Sequence, residues 1–203
     1  MAKWLHSFCV HKADLLKNLK ILDVGAGAGE FISDFLTVHG QTKPELYCGI
    51  EPLGRHFAAL TETVQRLGMD SCSHLFPQDL QDFLDQLPSL SIAGKRFDII
   101  LLSHSVYYIQ AVGNTLLALQ QLLTPHGRIF VILNAEGLLT DLWSYFAEHL
   151  PTINKHSDCP TTPKSVVRQA QDAGIPVTEY TIFDTGYTIS DLLKDEHMIC
   201  LQH

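Results

Sequence analysis

Three glycines at alternate positions, Gly25, Gly27 and Gly29, follow an apolar run ending at Asp23-Val24 and precede Glu30-Phe31, where a helical pattern begins. A backbone without Cβ atoms admits a ligand where side chains would collide. A helix start directly behind it offers free N–H groups and the positive end of the helix dipole. Such a turn suits a nucleotide-like ligand. Glu51, 22 residues beyond Gly29 and followed by Pro52, stands where an open α/β fold places an acid against both ribose hydroxyls. Asp79 follows a third apolar run, where its carboxylate can accept from an adenine amino group while the N–H of Leu80 meets the ring. The same Asp can equally cap the helix behind it. A fourth run closes on Ser103-His104-Ser105-Val106-Tyr107-Tyr108. His104 can donate, accept or carry charge near neutral pH, which makes it a candidate base and substrate contact. Tyr107 and Tyr108 are candidate walls; one is expected in the core and the other, Tyr108, in the pocket. Trp143 serves as core or as pocket lining.

The residue types around the turn select among ligands. A dinucleotide fingerprint needs a small residue at the third position of G-x-G-x-x-G, where strand and helix pack tightly beside a pyrophosphate. Here the matching positions are Gly25, Gly27 and Glu30. A carboxylate there repels a diphosphate and suits a ligand bearing an amino group and a sulfonium, which is S-adenosylmethionine (SAM).

The elements that must position these residues alternate. Strands are expected at Lys20 to Val24, Leu46 to Glu51, Ser73 to Phe76, Phe97 to Leu102, Arg128 to Leu133, Val177 to Phe183 and His197 to Leu201. Helical stretches lie between them at Glu30 to Val38, Arg55 to Arg66, Asp79 to Gln86, Ala111 to Leu123, Leu138 to His149 and Thr162 to Ala173, the last with Thr162 as cap and Pro163 at the first helical position. Alternation of this kind implies right-handed crossovers and a Rossmann-like, three-layer α/β sandwich around a mainly parallel, seven-stranded sheet. The short connection between the last two strands permits a direct reversal, which would leave the seventh antiparallel. The fourth strand then delivers Ser103 to Tyr108 at the carboxyl edge beside the topological switch point, where such sheets bind ligands.

Composition narrows the class. At 203 residues with 46% hydrophobic side chains, the chain suits one domain over residues 1 to 203, with residues 1 to 18 as an N-terminal helix or lid. The five cysteines are odd in number, scattered and without a CxxC pair, which argues against a disulfide framework or a zinc ribbon. Eleven histidines include no pair at HxxxH spacing, so no metal is expected. No apolar run reaches the roughly 20 residues of a membrane span, and no signal-peptide core is present. The expectation is a cytoplasmic protein that engages no membrane. A net charge of −8 and the absence of a basic cluster disfavour nucleic acid and favour a cationic ligand or amine.

Asp23-Val24-Gly25-Ala26-Gly27, Gly49-Ile50-Glu51-Pro52, Phe97-Asp98-Ile99-Ile100 and Leu123-Thr124-Pro125-His126-Gly127-Arg128 together resemble the class I SAM-dependent methyltransferases, over about Leu19 to Lys194. More narrowly, Gly27-Ala28-Gly29-Glu30, Glu51-Pro52, Val106-Tyr107-Tyr108-Ile109, Asp141-Leu142-Trp143 and Thr188-Ile189-Ser190-Asp191 are similar to the histamine N-methyltransferase group. The resemblance implies SAM contacts at Asp23, Gly25, Gly27, Gly29, Glu51, Pro52, the Asp79-Leu80 region and Ser103, and a substrate pocket at His104, Tyr107 and Tyr108. Two departures follow. His104 replaces the glutamine that holds the imidazole substrate in that group, and the group's other anchoring segments have no counterpart in this sequence. The pocket is therefore either more open or completed by a partner, a homodimer mate or a further segment.

The activity so implied is direct displacement, in which a nucleophile, expected to be an amine nitrogen of a small molecule, attacks the sulfonium methyl in line and S-adenosylhomocysteine leaves. The protein mainly holds both reactants aligned. A non-catalytic SAM-binding subunit is the rival reading from another class, and an NAD-dependent oxidoreductase is a third, disfavoured by Glu30.

Overall fold

A computed structural model describes residues 18–133 and 161–177. In chain order the elements are β1 (Lys20–Val24), α1 (Glu30–Val38), β2 (Leu46–Ile50), α2 (Gly54–Arg66), β3 (Ser73–Phe76), α3 (Leu80–Gln86), β4 (Phe97–Ser103), α4 (Val112–Gln120), β5 (Leu123–Ile132) and α5 (Pro163–Asp172). All strand pairings are parallel, in the order β3-β2-β1-β4-β5. The chain builds outward from β1 to β3, then returns to the other side of β1. The crevice at the carboxyl ends of β1 and β4 is the switch point.

The central strands are apolar on both faces because helices cover both. Leu22, Val24, Cys48, Ile50, Ile100 and Leu102 point to one side, where they meet Phe83 of α3, Leu116 and Leu119 of α4 and Val166 and Ala170 of α5. Ile21, Tyr47, Ile99 and Leu101 point to the other, against Ile32, Phe35 and Leu36 of α1 and Leu60 and Val64 of α2. The alternation is the period of two that a strand imposes. Asp23 is the buried polar residue of β1, and the Tyr47 hydroxyl donates to its Oδ2 at 2.9 Å inside the α1/α2 layer. At the opposite end of the sheet Asp98 joins three strands, accepting from the Lys20 N–H at 3.0 Å and the Thr124 hydroxyl at 2.8 Å.

Most expected elements are present, with informative differences at their ends. α5 starts as its sequence dictates: Thr162 Oγ1 accepts from the Ser165 N–H, Ser165 Oγ accepts from the Thr162 N–H, and Pro163 occupies the first turn. β5 differs. It begins at Leu123 rather than Arg128, and α4 stops at Gln120 rather than Leu123. Leu123 pairs with Phe97, and the ladder resumes at Ile99 with Arg128, so Thr124 to Gly127 form a bulge inside the strand. Gly127 is required there because a Cβ would sit 2.6 Å from the Phe97 carbonyl oxygen. At the carboxyl edge, β2 ends at Ile50, leaving Glu51 just past it, while β4 runs on to Ser103. Five strands are described; the sixth and seventh expected strands beyond Val177, the helix at 138–149 with Trp143, and residues 1–17 lie outside the described residues.

Candidate functional site at the carboxyl edge

The glycine turn is a closed hydrogen-bonded unit. The N–H groups of Gly25 and Ala26 both donate to the Ile50 carbonyl, at 2.9 and 3.0 Å, and that of Gly29 donates to the Ala26 carbonyl at 3.0 Å. Gly27 N–H donates to Glu51 Oε2 at 2.9 Å and Ala28 N–H to Glu30 Oε2 at 3.1 Å. The N–H groups from Gly25 to Gly29 are therefore all engaged, and two of the five bonds end on carboxylates. A pyrophosphate finds neither open donors nor positive potential at these five positions, whereas a cation or a hydroxyl-rich ribose finds anchored acceptors.

The glycines serve different ends. Gly25 has φ +72°, and a Cβ on it would lie 2.5 Å from Ser105 Cβ, so the residue lets the loop after β4 close onto the end of β1. Gly27 has φ +58° and faces only the Glu30 carboxylate within 4 Å, which leaves its outer side open. Gly29, at φ +87°, is the residue before α1, and its Cβ would meet Thr63 and Leu60 of α2. Its lack of a side chain is a packing requirement between α1 and α2.

Glu51 is 5% exposed and held by its own backbone: Oε1 accepts from the Leu53 N–H at 2.9 Å while Oε2 holds Gly27. A carboxylate has about four acceptor sites, so about two remain for a ligand such as a ribose diol. Pro52 and Leu53 beyond it are exposed, Leu53 by 52%, and give the edge an apolar shoulder. His56 Nδ1 stands 3.9 Å from Glu51 Oε1. Asp79 caps α3, its Oδ1 accepting from the Asp82 N–H at 2.9 Å, and Leu80 packs partly into the core. Asp79 is exposed, and its second oxygen is left for other partners.

Asp23 is 1% exposed. Burial pushes its carboxyl up to about 7 against the pull of the Tyr47 hydrogen bond, and the charges of Glu30 and Glu51 push the same way. The Tyr47 hydroxyl is raised well above its ordinary value, by burial first and then by the Asp23 charge.

On the other side of the crevice, His104 has φ +53°, a conformation that costs a non-glycine residue about 1–3 kcal/mol and needs support from its surroundings. Its N–H supplies that support by donating to the Ile132 carbonyl at 2.8 Å. The imidazole is exposed at the β4 end and stacks with Tyr107, centroids 6.4 Å apart. Partial withdrawal from water lowers its pKa below the ordinary value, so the neutral, proton-accepting form dominates near neutrality. The expectation of one core tyrosine does not hold: Tyr107 is half-buried against His104 and Tyr108 is 79% exposed. The cause is the single 3₁₀ turn at Val106–Tyr108, which sends only Val106 inward. Ser103 closes β4, half-buried and paired in register with Ile132. Trp143 lies outside the described residues. Among the described residues no group of three His, Cys, Asp or Glu side chains is placed to hold a metal.

Three contributors escape a reading of the sequence. Ser105 has a buried hydroxyl without a hydrogen-bond partner and packs on Gly25, Tyr47 partners Asp23, and His56 approaches Glu51.

A family model described as a methyltransferase domain matches residues 1–180. The chain belongs to the class I SAM-dependent methyltransferases. SAM is the cofactor of this family, and the anchored acceptors around Gly27 fit a ligand carrying positive charge. Carnosine N-methyltransferase 2 of Gallus gallus is 24% identical over 178 residues, 85% of this chain and 54% of that protein. The chain thus spans about half the length of that relative. The fold matches solved structures at low identity: the cyclopropane synthase MmaA2 from Mycobacterium tuberculosis, with TM-score 0.59 and 13% identity over 84% of this chain and 61% of that one. A SAM-dependent methyltransferase from Leishmania major gives 0.57 and 15% over 88% and 63%.

Proposed function

We propose that this methyltransferase acts on an amine nitrogen of a small molecule, with the cofactor on the Gly25–Gly29 turn and the acceptor against His104. The observation that carries this reading is the position of His104: an imidazole kept neutral near pH 7, stacked on Tyr107, at the end of the strand next to β1. SAM supplies an electrophilic methyl group on a sulfonium. Glu51 would hold the ribose hydroxyls through its free acceptor sites, and Glu30 would face the ligand's amino group. Asp79 and Leu80 would meet the adenine. Asp23, buried at the end of β1 and bonded to the Tyr47 hydroxyl, would act on the ligand through its charge. On the acceptor side, His104 would take the proton that the nitrogen must shed, a contribution worth about 10²–10⁴ in rate. Tyr107 and Tyr108 would wall the acceptor with aromatic faces, which also favour a methylated cation.

The activity named for the Gallus gallus relative, N-methylation of carnosine, supports nitrogen as the acceptor atom. The charge of −8 supports an amine over nucleic acid. No helix among the described residues is long and apolar enough to cross a membrane, and the cytoplasm is proposed as the compartment. Tritiated-methyl SAM supplied with a panel of imidazoles, primary amines and secondary amines tests the reading. Transfer to at least one amine is expected, with kcat reduced in His104→Gln and the SAM KM unchanged. SAM binding without transfer to any acceptor would favour a non-catalytic SAM-binding subunit.

A further inference from the structure

Three carboxyl groups surround the glycine turn. Asp23 lies beneath it, bonded to the Tyr47 hydroxyl. Glu51 grips the Gly27 N–H and Glu30 the Ala28 N–H. The charges of both glutamates act on Asp23. From the neighbouring elements the titratable groups that face Asp23 are thus Tyr47 on β2, Glu51 just past it and Glu30 on α1; on β4 its register partner is Leu101. Among the described residues no Lys or Arg pairs with any of the three acids, and the one basic neighbour is His56 beside Glu51. Burial first, and then the charges of Glu30 and Glu51, favour the protonated form of Asp23.

We propose that Asp23 is a charge-specificity residue for the cofactor: a sulfonium ligand seated on the turn drives the Asp23 proton into solvent, and the neutral thioether product allows it to return. This inference rests on the reading that the turn holds SAM. The balance is simple. On binding, the carboxyl becomes a carboxylate and one proton passes to buffer; once the sulfonium has lost its methyl, the carboxylate recovers a proton from buffer. Substrate and product carry the same amino-acid end and differ at the turn by the sulfonium charge, so the difference between them isolates the effect. An opposite charge within about 4–6 Å favours a carboxylate by roughly 1–3 pKa units. The site would therefore hold SAM more tightly as pH rises and gain nothing for S-adenosylhomocysteine, which separates substrate from product without any contact to the methyl group.

Isothermal calorimetry with SAM and with S-adenosylhomocysteine, each in two buffers of different ionisation enthalpy between pH 5 and 7, tests this. SAM is expected to release about half a proton near pH 7 and to bind roughly five- to fiftyfold more tightly at pH 7 than at pH 5. S-adenosylhomocysteine should do neither. Asp23→Asn keeps an acceptor for the Tyr47 hydroxyl and should abolish the release and the pH dependence while SAM still binds. Tyr47→Phe, which removes the bond that lowers Asp23, should move the midpoint to higher pH. His56→Gln should leave both effects in place. Equal release with the two ligands, persistence in Asp23→Asn, or loss in His56→Gln overturns the proposal. SAM binding without proton release overturns it alone, whereas no binding of either ligand overturns the cofactor reading and this proposal together.

Discussion

Gly25→Ala, alone and combined with Ser105→Gly, probes the contact that closes the site. The new methyl would enter a left-handed backbone position at φ +72° and lie 2.5 Å from Ser105 Cβ, 3.3 Å from its Oγ and 3.7 Å from its Cα. The backbone penalty for a non-glycine residue there is about 1–2 kcal/mol. Overpacking against a well-ordered neighbour costs about 1–3 kcal/mol, so the single variant should lose about 2–5 kcal/mol. Ser105→Gly removes the two offending atoms and leaves only the 3.7 Å contact, which is ordinary. The double variant should therefore recover the packing share and keep the backbone share, a coupling of about 1–3 kcal/mol. Urea unfolding of the four proteins measures it, and the SAM dissociation constant should recover in parallel. Additivity within about 0.5 kcal/mol would refute the claim that Ser105 seats on Gly25. Ser105→Ala is the informative control: its hydroxyl is buried without a partner, so its removal should be neutral or slightly stabilising.

His104→Gln should lower kcat by about 10²–10⁴ and erase the acidic limb of the pH–rate profile. In the unaltered enzyme that limb should lie below the ordinary histidine value, because loss of hydration lowers this pKa; an unchanged limb in the variant would remove His104 from the base role. Asp23→Asn should change the pH dependence of stability. The folded carboxyl titrates at about 7 against 3.8 in the unfolded chain. Its stabilising proton is thus fully present below the unfolded value and lost as pH rises through the folded one. At about 1.36 kcal/mol per unit, the wild type should lose up to ~4 kcal/mol between pH 4 and 8 from this group, and the variant should lack that loss. Thermal melts across pH would read it, and parallel curves for the two proteins would count against a protonated buried Asp23.

The central sheet was legible because β1, β2 and β4 are buried on both faces and therefore read as short apolar runs between helical patterns. β5 was less so. Pro125 and Gly127 are punctuation that elsewhere ends an element, and here they fill a bulge whose outer pair, Leu123 with Phe97, depends on a distant strand. The acids of the site were visible for a similar reason: Glu51 directly follows β2 and Asp79 comes three residues after the end of β3, so their location at the carboxyl edge follows from alternation alone. What lay hidden was the wiring. Three N–H groups of the turn meet the Ile50 carbonyl and the Glu51 carboxylate, acceptors that arrive from the neighbouring strand. Ser105 met Gly25 only through the β1–β4 pairing. Tyr47 read as one more core residue of β2, since the sequence gives no sign that its hydroxyl ends on Asp23. The tyrosine expected in the core is Tyr107, and a single 3₁₀ turn that sends only Val106 inward leaves it half-buried instead.

The division of labour across the crevice is the core of the account, with Glu51 holding the cofactor and His104 serving the acceptor. Calorimetric titration of SAM into the unaltered protein, Glu51→Gln and His104→Gln tests it most directly. Replacing the carboxylate removes a charged hydrogen-bond acceptor worth about 1.5–3 kcal/mol, so Glu51→Gln should weaken SAM binding by roughly ten- to a hundredfold. His104→Gln should bind SAM as the unaltered protein does. Undiminished affinity in Glu51→Gln, or a comparable loss in His104→Gln, would contradict it.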